Sequence, residues 1–149
     1  MDVRVHTEFD TRLAPEGVVS TLTDFSPRRP EVWRALDRTK YKLHEVGDTY
    51  AVVTEGSHRP DVWARERYDW SHPGFVSWAA EDSNFSAPGS GVEIAVSPAD
   101  GGGSHVAMDW HRRPRGIKGY VLVGLMKIVG GQMLKSNYKA VFDRVARQG

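Results

Sequence analysis

Between Tyr41 and His111 apolar and polar residues alternate in short runs broken by clusters of Gly, Pro, Asp and Ser, and this period of two limits the fold more than any other feature. Six strands follow, over residues 41–46, 49–55, 62–70, 75–80, 91–97 and 104–111. Their connections, among them Gly47-Asp48, His72-Pro73-Gly74 and Asp100-Gly101-Gly102-Gly103, are short, so neighbours pair antiparallel as a meander. The apolar face sets the register. Val92, Ile94 and Val96 share one side, as do Val106, Met108 and Trp110, while Glu93, His105, Asp109 and His111 lie opposite.

The flanks read differently. Residues 2–9 alternate as a further half-buried strand, with Val3, Val5, Thr7 and Phe9 on one side. Pro15 then suits a first helical turn, and Val18, Val19, Leu22 and Phe25 follow at helical spacing up to Ser26-Pro27. Pro30-Glu31 opens a second short helix carrying Val32, Trp33 and Leu36, which ends before Lys40. After Pro114 a long helix is expected from residue 117 to about 147. Its second half shows one stripe, Leu134, Tyr138, Val141 and Val145; its first half, residues 120–129, is apolar all round. Gly130-Gly131 is expected to bend or break the helix between them.

Composition removes several classes of function. The absence of cysteine excludes disulfides, thiolate metal sites and a cysteine nucleophile, and suits a reducing compartment. Twenty Lys and Arg against nineteen Asp and Glu give a net charge of +1, so no whole-molecule field draws in nucleic acid, and nucleic acid is not an expected partner. The start of the chain lacks an apolar signal core, which places the protein in the cytoplasm. The apolar run 120–129 is about half the ~20 residues of a membrane span, so none is expected. No repeat or linker divides residues 1–149, which are read as one domain.

Strand, two short helices, six-stranded meander and long terminal helix form the order of the helix-grip fold. The chain resembles the START-like, Bet v 1-like superfamily called SRPBCC, and within it the polyketide cyclase/dehydrase and lipid transport group. The resemblance is carried by Ala14-Pro15-x-x-Val18-x-x-x-Leu22-x-Asp24, by Trp33, by Asp100-Gly101-Gly102-Gly103-Ser104 and by residues 134–145 of the final helix. It implies an α+β domain in which a curved, seven-stranded antiparallel sheet wraps the long C-terminal helix and leaves a cavity for a hydrophobic small molecule. The glycine-rich loop of the plant allergens in this superfamily is replaced by Val46-Gly47-Asp48-Thr49. No cofactor is implied, and no cyclase signature can be placed residue by residue.

Within that frame the candidate chemistry centres on residues 62–70, where Val62, Ala64, Glu66, Tyr68 and Trp70 share one face. Glu66 on an apolar wall is the candidate catalytic acid or base, since desolvation raises a carboxyl pKa; alternatively it pairs with a neighbouring arginine or reaches solvent at the sheet rim. Tyr68, Trp70, Trp78, Met108 and Trp110 are the candidate pocket lining, or else fill a solid core. Tyr120, Leu125 and Met126 belong to the apolar run 120–129, read as a lid over the pocket or as a contact surface between proteins. The six histidines show no metal-ligand spacing, so no metal is expected. Arg112, Arg113 and Arg115, with His111 and Lys118, form a basic cluster suited to an acyl-carrier phosphopantetheine or another anion. Two functions follow: a carrier or sensor of a polyketide-, fatty-acid- or isoprenoid-like molecule, or a cyclase/dehydrase-like enzyme. A module pairing with other proteins through residues 120–129 is a third, and the chain is expected as a monomer or homodimer.

Overall fold

A computed structural model describes all of residues 1–149. The element order is β1 (Val3–Thr11), α1 (Pro15–Leu22), α2 (Arg29–Val32), a 3-10 turn (Arg38–Lys40), β2 (Lys42–Val46), β3 (Tyr50–Ser57), β4 (Val62–Asp69), β5 (Phe75–Ser83), β6 (Gly91–Pro98), β7 (Ser104–Arg112) and α3 (Gly116–Gln148). The seven strands form one antiparallel sheet in the order β1-β7-β6-β5-β4-β3-β2. The first strand closes against the last, and α3 lies in the sheet's grip: this is the helix-grip fold.

The expected faces hold. Val92, Ile94 and Val96 pair with Trp110, Met108 and Val106, and all six are buried. On β1, Val3, Val5 and Phe9 face the same core. Phe142 of α3, fully buried, rests on Phe9 and on Trp33, with ring centroids 6.2 and 5.8 Å away. Burying such a ring contributes on the order of 2–3 kcal/mol.

Two expectations need correction. The helix is not broken at Gly130-Gly131; α3 is continuous over 33 residues. Gly130 instead allows close approach to β1, since a Cβ there would lie 3.3 Å from Val5 Cγ2, whereas one on Gly131 would meet only ordinary contacts at 3.9 Å. The second short helix is a single turn, because Trp33 leaves helical geometry (φ −98°, ψ 88°) and its indole donates to the Thr21 carbonyl at 3.4 Å. By length and composition alone α3 would also be long and apolar enough to cross a membrane. Core helices meet the same test; the apolar window of α3 is itself only 22% buried, through residues such as Val123 and Leu134, and it is the turns beyond it, with Val141 and Phe142, that are sunk in the core.

Candidate ligand-binding cavity

The sheet and α3 part over the β3–β5 side, leaving a cavity of about 440 Å³ lined by 25 residues, 16 of them hydrophobic. Val92, Trp78, Tyr68 and Ala64 come from the sheet, Leu134, Tyr138 and Val141 from the second half of α3, and Trp33 closes one side. Exposed lining residues Arg34, Ala35, Asn137 and Ala140 mark where it meets solvent, between the segment after α2 and the helix.

Two arginine–carboxylate pairs reach the lining. Arg29 uses four of its five donors: Nε donates to Glu55 at 2.7 Å, Nη1 donates to the Leu22 and Asp24 carbonyls at 2.9 and 3.0 Å, and Nη2 donates to the Tyr68 hydroxyl at 3.3 Å. Tyr68 in turn donates to Glu55 at 2.5 Å. Burial is the largest single influence and would lower the Arg29 pKa, but Glu55 and Tyr68 together, through charge and hydrogen bonding, outweigh it and raise it, so this cation is permanent. Burial, with Glu55 nearby, lifts Tyr68 well above its ordinary 10.0, keeping it a phenol that donates. The pair and the phenol form a closed brace joining α2 to β3 and β4.

The second pair is looser. Arg112 Nη2 stands 3.5 Å from Glu66 Oε2, Nη1 stands 3.3 Å from Ser86 Oγ, and the buried Nε meets no acceptor from the protein. Both side chains are more than nine-tenths buried. A buried cation with spare donors costs several kcal/mol unless something satisfies it. Burial pushes the Glu66 carboxyl up from its ordinary 4.5, with Arg112 pulling the other way. Glu66 reaches this wall by the plain alternation of β4, between buried Ala64 and Tyr68. The bulge lies opposite it on β5, where Arg65 pairs with Asp82 and Glu66 with Ala80, leaving Glu81 as the extra residue.

The sequence-derived candidates divide. Glu66, Tyr68, Trp78 and Trp110 line the cavity. Trp70 does not; it stacks on Phe25 at 5.9 Å, beyond the cavity wall. Met108 is fully buried in the core beside Ile94. Tyr120 and Leu125 are more than half exposed, and Met126 packs against the core near Gly130, so this run forms no wall of the cavity. The basic cluster is also split. Arg113 and Arg115 are exposed and pair with Asp2 and Asp82, each at 3.0 Å, whereas Arg112 turns inward.

That inward turn was readable, since Val106, Met108 and Trp110 continue at period two to Arg112. The same step leads from Ala51 and Val53 to Glu55. Nothing in the sequence marks Arg29, whose role depends on how α2 folds back on β3. No group of three or more His, Asp or Glu side chains is arranged to hold a metal ion.

By sequence, neither a family model nor a curated protein matches this chain. Solved structures do match in fold. A START superfamily protein from Mycobacterium smegmatis is 9% identical and superposes with a TM-score of 0.75 over 97% of each chain. The Zhui aromatase/cyclase from Streptomyces sp. R1128 is 14% identical, with a TM-score of 0.72 over 99% of this chain and 95% of that one. Truncated norcoclaurine synthase from Thalictrum flavum is 8% identical, with a TM-score of 0.73 over 100% and 96%. The chain therefore has the START-like, Bet v 1-like helix-grip fold, as the SRPBCC resemblance implied. A fold of this kind hosts different chemistries, so the cavity's own residues carry the functional argument.

Proposed function

We propose that the protein binds a largely apolar small molecule bearing an oxygen acceptor, of polyketide-, fatty-acid- or isoprenoid-like character, as a carrier or sensor. The carrying observation is the contrast between an apolar cavity of about 440 Å³ and one under-satisfied cation, Arg112, in its wall. The aromatic and aliphatic lining favours the body of the ligand through removal of apolar surface from water, and Arg112 fixes one oxygen. The size is within the usual range for small-molecule sites.

A second reading is favoured by the raised Glu66 carboxyl beside Arg112 and by the fold shared with an aromatase/cyclase. In a cyclase/dehydrase-like reaction Arg112 would polarise a carbonyl. The protonated form of Glu66 would give its proton to a β-hydroxyl as the C–O bond breaks and water leaves, and the resulting carboxylate would take the α-proton.

Native mass spectrometry of the intact protein, with titration by 1-anilinonaphthalene-8-sulfonate, tests both. Binding of one probe per chain, weakened about tenfold or more in Arg112→Met, is expected for a charge-assisted hydrogen bond. No binding by the wild type overturns the cavity reading; equal binding by Arg112→Met overturns the anchor. For the enzyme, Glu66→Gln should carry a co-purified compound heavier by one water than that of the wild type. Identical compounds in both leave the carrier reading alone standing.

A further inference from the structure

The face of α3 turned away from the sheet changes character along its length. Ile117, Val121, Leu125 and Ile128 recur at four-, four- and three-residue steps and make one outward stripe, 86%, 65%, 54% and 81% exposed. It extends about 17 Å along the helix axis. An apolar stripe of this length on a folded domain marks a surface that meets something.

Charge indicates what that is. From Trp110 to Phe142 there are seven Lys and Arg and no Asp or Glu, leaving thirteen Lys and Arg against nineteen acids in the rest of the chain. By helical geometry Lys118 and Lys127 flank the stripe on opposite sides and Lys135 lies beyond its end. Neither Lys127 nor Lys135 has an acidic partner, while at the helix start Asp2 and Asp82 are already held by Arg113 and Arg115. A second copy of the same face would bring cations against cations. An apolar stripe edged by lysine instead has the composition of a helix that lies in the interface of an anionic bilayer, its stems along the lipid and its charges at the headgroups.

We propose that the outward face of the first half of α3 docks the folded domain on an anionic lipid surface, lying in it without spanning it. The lipid is a docking surface and the cavity's occupant is a separate matter, so this stands whatever the cavity holds.

Flotation of the full-length protein with vesicles tests it. Vesicles of phosphatidylglycerol and phosphatidylcholine should carry the protein up the gradient, phosphatidylcholine alone should carry about tenfold less, and raised salt should release it. Val121→Glu/Ile128→Glu should abolish flotation, and Lys127→Glu/Lys135→Glu should reduce it about tenfold, both with wild-type circular dichroism because all four positions lie outside the buried core. Wild-type protein that stays at the bottom with anionic vesicles overturns the proposal. A dimer in sedimentation that Val121→Glu/Ile128→Glu converts to monomer, with no vesicle binding, assigns the face to self-association instead.

Discussion

The two halves of α3 share one continuous helix and one neighbour, β1, yet present opposite surfaces. The second half buries Leu134, Val141 and Phe142, lines the cavity with Tyr138 and Val141, and is tied to β1 by Asp143, which accepts from Thr11 Oγ1 at 2.6 Å and from the Arg12 amide at 3.2 Å. The first half buries little beyond Gly119 and Val123 and leaves its largest aliphatic side chains in solvent. Hydrophobic residues therefore do two different things on the same rod: where the stripe has a period the sheet uses it, and where apolar residues go all round the sheet can use only one side.

The largest expected difference is in packing. Phe142→Ala should destabilise the domain by about 3–5 kcal/mol in urea unfolding followed by circular dichroism, with Phe142→Leu intermediate, whereas Ile128→Ala should change stability by less than about 0.5 kcal/mol. Similar losses from both would mean that the first half is as embedded as the second.

Glycines in the first half sharpen the contrast on a finer scale. A Cβ on Gly119 would fall 2.2 Å from the Phe85 carbonyl oxygen, while one on Gly124 meets nothing within 4 Å. Gly119→Ala should cost about 1–3 kcal/mol through forced displacement, and Gly124→Ala should add up to about 1 kcal/mol through helix propensity. A thermal melt of each separates the signs.

Over the cavity that the second half lines, Glu66 should titrate above 4.5 in carboxyl-carbon NMR. Arg112→Met should move it further up, because the guanidinium is the main influence holding it down. A midpoint that falls in this variant would show that Glu66 and Arg112 are not coupled.

The smallest effect lies on the outer face of β1, the strand on which α3 leans. His6 joins Glu8 and Asp109, and His105 joins Glu8 and Asp10, every contact at 2.7 Å. These carboxylate hydrogen bonds raise both imidazoles above 6.5. Their stabilisation is complete below the unfolded value and fades as pH rises through the raised folded values. Glu8→Gln should lower both midpoints in imidazole NMR and flatten the slight stability change above neutrality.

The sheet was legible because one buried face forces a strict alternation, and each strand from β2 to β7 was recovered to within a few residues. Glycine pairs carry two meanings, a break or a close approach, and only the position of β1 decides for Gly130-Gly131. The site was less legible. Following the alternation one step further reaches Glu55 and Arg112, but Arg29 depends on a non-local return of the chain. The apolar run 120–129 was visible as unusual, though its place outside the cavity depends on how far the sheet wraps.

Of the five tryptophans, Trp33, Trp63, Trp78 and Trp110 border the cavity and only Trp70 stands apart. Four indoles around one void make the chain's own ultraviolet emission a gauge of occupancy. An occupant that displaces solvent there should shift the spectrum, with Trp70 supplying a steady background, so candidate compounds can be screened on unlabelled protein.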